Sequence, residues 1–155
     1  MADDSTGAPD RAGEQAALNP VLAAEHAAIW GYGVVGVALP VQDRPKAAAA
    51  EEAHRDLRDR LTALVVAAGG DPAPAAGGYR LPFPVLSPVD AAALAAALEE
   101  GACQAWVALL DRAAQPDTRT LAVRALGGAE VRAVGWRVAA GKNPVTDPFP
   151  GLPQS

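Results

Sequence analysis

Four side chains in this sequence have the types and spacing to hold metal ions or move protons inside a helical protein. Glu51 and His54 stand three residues apart on one helix, with His54 central on its apolar stripe and Glu51 at the edge. Glu25 lies between Leu22 and Ile29 on an apolar stripe, and Glu99 lies on the side of Ala102 and Trp106. Bundles that hold two iron or manganese ions use one Glu from each of two helices and Glu-x-x-His from each of the other two. Hard oxygen ligands and imidazole then surround the ions. In that pattern Glu25 is the first single Glu, Glu51 with His54 is one Glu-x-x-His, and Glu99 is the second single Glu. Glu100, which points more toward solvent, is its substitute.

The fourth contribution is missing. Glu130 is followed three residues later by Ala133, and the chain has two histidines, His26 and His54. His26 sits beside Glu25 at the flank of the stripe. Where the second imidazole should stand, Arg132 lies near the stripe formed by Ala125 and Ala129. Buried carboxylates need a partner or they take up protons. The expectation is that Arg132, with His54, takes the place of the metal and holds Glu25 and Glu51 through charge-assisted hydrogen bonds. No cofactor is then expected. The alternative is iron or manganese on Glu25, Glu51, His54 and Glu99. No residue is assigned a catalytic role.

Other chemistry-bearing residues read as structural. Cys103 is the single cysteine, so no internal disulfide forms, and no His or Asn stands at a spacing that activates it. Gly31-x-Gly33-x-x-Gly36 matches the dinucleotide fingerprint as a string, but it lies inside a helix with no strand before it. It reads as close helix packing. Trp30, Trp106 and Trp136 read as fillers of an alanine-rich core or its rim. Arg55, Arg58 and Arg60 are interleaved with Asp56 and Asp59, as on a solvated helix face.

Four helices must position these residues. Alanine supplies 38 of 155 residues and aromatics 5%, which favours helices packed through small side chains. Helices are expected at about 14–39, 44–68, 88–114 and 117–140. Pro40, Gly69-Gly70, Gln115-Pro116-Asp117 and Gly141 punctuate them. Ser87-Pro88 is a capping residue followed by proline at the first turn. Residues 1–13 read as disordered, 14–141 as the bundle, and 142–155, with four prolines, as an extended tail, docked or disordered.

Loop lengths select the topology. The first and last pairs of helices are joined by a few residues, which forces antiparallel neighbours. The middle connection, from Gly69 to Ser87, is about 19 residues and reaches at most about 60 Å. A helix of about 24 residues is roughly 36 Å long. The connection can therefore cross the bundle and start the third helix at the same end as the second. Two hairpins joined by such a crossover make an all-α, ferritin-like four-helix bundle. Tyr79, Leu81 and Phe83 in the crossover are expected to lid one side.

The chain resembles an actinobacterial ferritin-like domain family of unknown function. The resemblance rests on Ala24-Glu25-His26-Ala27-Ala28-Ile29-Trp30-Gly31-Tyr32, on Glu51-Glu52-Ala53-His54-Arg55, on Tyr79-Arg80-Leu81-Pro82-Phe83-Pro84-Val85, and on Glu130 to Trp136-Arg137. It spans about residues 14 to 141. It implies the fold and carries no activity.

Net charge is -5, which gives no general electrostatic reason to seek nucleic acid or an anionic membrane. No signal peptide is visible, and the glycine-interrupted run Ala27–Val41 falls short of a bilayer span. A cytoplasmic, non-catalytic bundle with a relict metal site is expected, self-associating or docking a partner through the first helix near His26, Trp30 and Val34 or through the tail. Neither nucleic acid nor membrane is an expected partner, and the sequence names no small-molecule ligand. The alternative is a metal-binding, di-iron-like or single-metal protein or oxidase.

Overall fold

The computed structural model describes residues 10–153; expectations for 1–9 and 154–155 lie outside the described residues. The elements are α1 (Arg11–Ala38), a short 3-10 turn (Val41–Asp43), α2 (Arg44–Ala67), α3 (Pro88–Arg112) and α4 (Pro116–Ala139). Helix α1 starts three residues before the expected Glu14, because Asp10 caps it by accepting from the Gly13 N–H at 2.5 Å. Ser87 caps α3 through the Asp90 N–H at 3.1 Å, with Pro88 in the first turn, as its sequence signature indicates. Helix α4 has no side-chain cap of its own. Glu14, from the start of α1, performs that service. Its Oε2 accepts from the Ala114 and Gln115 N–H groups at 2.6 and 2.7 Å, and its Oε1 accepts from the Thr118 hydroxyl at 2.7 Å.

That contact also fixes helix directions. The first turn of α1 lies at the α3–α4 joint, so α1 and α3 are antiparallel. At the other end Tyr32, Val35 and Leu39 of α1 share a core cluster with Ala91, Ala92 and Leu94 of α3 and with Ala47 and Ala50 of α2. Helices α2 and α3 therefore begin at the same end and run parallel. The chain is an all-α four-helix bundle of two antiparallel hairpins joined by a crossover that traverses its length. Close backbone packing joins α1 to α2, α1 to α3, and α3 to α4. Helices α2 and α4 make almost no close backbone approach, which leaves a seam between them.

The crossover is tied down along α1. Gln15 Nε2 donates to the Ala68 carbonyl at 3.1 Å, Asn19 brackets Asp71 and Ala73 at 3.0 and 2.8 Å, and His26 Nε2 donates to the Ala73 carbonyl at 3.0 Å. Tyr79 packs on Trp30 with ring centroids 5.6 Å apart, and Leu81, Phe83 and Val85 cover the second core cluster. The lid expected of the crossover is thus present. The glycine run of α1 behaves less uniformly than expected. A Cβ on Gly31 would lie 2.7 Å from the Leu98 methyls of α3, whereas Gly33 and Gly36 face open space.

The tail is docked. Arg137 Nη1 donates to the Val145 carbonyl at 3.0 Å, and the Asp147 N–H donates to Glu130 Oε1 at 3.2 Å. Gly151, at φ +80°, lies so close to α3 that a Cβ would sit 2.5 Å from the Cys103 carbonyl oxygen. By length and composition α1 and α3 would pass for membrane-crossing helices, unlike the shorter run read from the sequence. In the bundle each buries a carboxylate and packs against the other.

Candidate functional site

Glu25 on α1, His54 on α2 and Glu99 on α3 are fully buried at mid-bundle. The two outer helices of this trio are built alike. Glu25 is followed seven residues on by Tyr32, and Glu99 seven residues on by Trp106. Seven residues are two turns, about 10.5 Å of rise, so each aromatic stays on its carboxylate's face. Because α1 and α3 are antiparallel, each carboxylate meets the other helix's aromatic. Trp106 Nε1 donates to Glu25 Oε1 at 2.7 Å, and the Tyr32 hydroxyl donates to Glu99 Oε1. His54 sits between them, with Nδ1 2.6 Å from Glu25 Oε2 and Nε2 3.3 Å from Glu99 Oε1. From α4, Arg132 Nε donates to Glu99 Oε1 at 2.8 Å.

Charge follows from this geometry. Burial pulls the His54 pKa down, but hydrogen bonds and charge from Glu25 and Glu99 outweigh it and raise the value to about 9. His54 is therefore an imidazolium at neutral pH, donating from both nitrogens. Burial pushes the Glu99 carboxyl up, and the bonds from His54 and Arg132 bring it below its ordinary range. Burial and the Glu99 charge raise the Tyr32 hydroxyl, so it stays a donor. The Arg132 guanidinium is held charged by Glu99 against its own burial. Two cations thus face two carboxylates.

The structure corrects two parts of the expected constellation. Glu51 does not join the cluster. It sits on the rim of α2, 22% exposed, with Oε1 2.5 Å from Arg55 Nη2. One Glu-x-x-His step is about 300° around a helix, so with His54 aimed at the core its Glu falls to the flank. Arg132 does reach the interior, but it holds Glu99, not Glu25 and Glu51. Glu25 is held instead by His54 and Trp106.

Iron or manganese needs free carboxylate oxygens and a bare imidazole nitrogen. Both oxygens of Glu25 and both nitrogens of His54 are engaged in hydrogen bonds inside the cluster, and Glu99 Oε1 meets Tyr32, His54 and Arg132. Among the described residues only Glu99 Oε2 of this cluster's carboxylate oxygens lacks a partner. A dication beside it would share Glu99 with a guanidinium that cannot lose its proton. The residues present do not fit a di-metal centre, and among the described residues no three of His, Cys, Asp or Glu converge as ligands.

Sequence reasoning missed Tyr32 and Trp106 as donors, although their seven-residue spacing from Glu25 and Glu99 is a usable signal. It also missed Arg137, which is buried and bridges Glu100 Oε1 at 2.9 Å and Glu130 Oε1 at 2.8 Å under the tail. Glu130, where the fourth Glu-x-x-His is missing, is held there. Cys103 is buried beneath the tail, and burial pushes its thiol up to about 12, which disfavours the reactive thiolate.

Residues 17–154 match the model of a family described as a domain of unknown function, DUF4439. The crystal structure of a conserved hypothetical protein, rv2844, from Mycobacterium tuberculosis is 37% identical to this chain, with a TM-score of 0.80. The match covers 83% of this chain and 98% of that one. No curated protein matches the sequence. With a family match over nearly the whole described chain, and a fold shared with a solved relative, the chain belongs to the DUF4439 family.

Proposed function

We propose that this protein is a non-catalytic helical bundle whose interior is a relict ferritin-like metal centre, with His54 and Arg132 occupying the role of the ions. The two-hairpin topology and the burial of Glu25, His54 and Glu99 at mid-bundle support this reading, since di-metal bundles gather carboxylates and imidazoles from facing helices in the same region. One observation carries the reading: Arg132 Nε lies 2.8 Å from Glu99 Oε1, a permanent cation on the carboxylate an ion would need. The buried network then serves to fix helix register. A scaffold of this kind acts through its surface. Helix α1 supplies one, a groove of about 620 Å³ floored by Trp30, Gly33, Val34 and Val37 between Glu51 and Val85. Val37, 79% exposed, projects beside Gly33 along this groove, an apolar face that a second copy of the chain could cover about a two-fold axis.

Elemental analysis tests the central reading. Protein purified without chelator and then exposed to Fe(II) or Mn(II) should carry far less than one ion per chain. One ion per chain, lost in Glu99→Ala, contradicts it and establishes the metal-binding alternative. Sizing chromatography of the parent chain and Val37→Glu tests the pairing face: a dimer that the charge dissociates is expected, and a monomer throughout removes it.

A further inference from the structure

The seam between α2 and α4 opens at mid-bundle into a cleft of about 210 Å³. Arg60 of α2 and Arg124 and Arg132 of α4 line it, against one carboxylate, Asp56. Three guanidinium groups gather here in a chain whose net charge is -5. Arg60 and Arg124 are exposed and make no ion pair or hydrogen bond among the described residues, whereas Arg55, Arg58 and Arg137 are all paired. Arg132 is the inner of the three, 23% exposed, and its Nη2 is buried without a hydrogen-bond partner among the described residues. Gly128 makes room for this guanidinium, since a Cβ there would lie 3.3 Å from Arg132 Nη1. Glycine is a weaker helix former than alanine, and here its effect is to keep the cleft wall low.

We propose that this cleft binds the phosphate group of a small, soluble phosphorylated molecule. Guanidinium forks match the oxygens of phosphate in pairs, and three of them around one opening suit a dianionic group. The cleft is walled by two helices and floored by Leu57, Leu121 and Ala125, so it admits a compact head with a modest apolar neighbour. Because Arg132 also donates to Glu99, the ligand would rest directly on the buried network and tighten its fourth helix. This inference stands apart from the relict-centre reading: metal content tests one and phosphate binding tests the other.

The probes are inorganic phosphate and pyrophosphate, titrated by calorimetry or by backbone amide shifts against the full chain in chloride buffer. Saturable pyrophosphate binding is expected, with shifts centred on residues 56–60 and 121–128. Arg60→Ala and Arg124→Ala should each weaken it about tenfold, the loss of one charge-assisted bond, while Arg119→Ala, outside the cleft, should not. Both informative substitutions are at exposed side chains, so folding is not at issue. Absence of saturation by about 10 mM pyrophosphate, or affinity unchanged in the Arg60→Ala, Arg124→Ala double variant, overturns the proposal. A lipid headgroup offers the same phosphate. Sedimentation with phosphatidate vesicles, in the absence of any soluble pyrophosphate binding, would overturn the assignment to a soluble ligand.

Discussion

The indole N–H of Trp106 points at Glu25 Oε1 across 2.7 Å, tying α3 to α1 at the centre of the bundle. Tyr32 repeats the contact in reverse toward Glu99. A shift of α1 along α3 by one turn would break both bonds and strand two buried carboxylates. The network thereby specifies a single helix register, a role attested for buried polar groups in coiled coils.

Trp106→Phe removes the donor and keeps most of the volume. It should destabilise the fold by about 1.5–3 kcal/mol, the range for a hydrogen bond to a charged group. Urea unfolding checks it: the midpoint should fall with the slope unchanged. A loss below about 0.5 kcal/mol would mean the indole only fills space.

Arg132→Met leaves Glu99 with one cation fewer and should cost about 3–5 kcal/mol, as breaking a buried pair does. Glu99→Gln alone should also destabilise. The double variant should lose clearly less than the sum, with a coupling above about 1 kcal/mol. Additive losses would show that the two side chains do not interact.

Stability should form a plateau in pH with a loss at each end. The His54 pKa is raised on folding, so its contribution is complete below the unfolded value of 6.5 and disappears as pH rises through about 9. The Glu99 pKa is lowered, so its contribution is present above the ordinary value of 4.5 and disappears as pH falls below it. Chemical denaturation across pH 3–10 should show both limbs. His54→Gln should abolish the alkaline one.

Gly151→Ala should undock the tail, because a left-handed φ and a backbone oxygen 2.5 Å from the new Cβ both oppose it. Cys103 should then react with a thiol reagent on the order of tenfold faster through local opening, with little change in global stability. An unchanged rate would show that α3 and α4 alone shield the sulfur.

The fold was legible because the punctuation was strong. Ser87-Pro88, Gly69-Gly70 and Pro116 set boundaries within a few residues, and the 20 residues between α2 and α3 admit a full crossing. The site was legible only in part. Apolar periodicity placed Glu25, His54 and Glu99 inside, and those three do converge. Glu51 misled because a Glu-x-x-His step turns one of its members away from the core centre unless both lie near the seam. The partnership of Arg132 with Glu99 was hidden because it depends on which helix faces which. Tyr32 and Trp106 look like filler until the antiparallel packing of α1 and α3 is known. Helix α1 starts three residues ahead of the sequence expectation because Asp10, within the segment 1–13 that reads as disordered, caps it.

The most direct measurement is the protonation state of His54 at pH 7, read from the ring ¹⁵N shifts with His54→Gln for assignment, since His26 is the other histidine. The account predicts an imidazolium with both nitrogens protonated, unmoved by added Fe(II) or Mn(II) and titrating near pH 9. A bare ring nitrogen at pH 7 that shifts or broadens when either metal is added would contradict it.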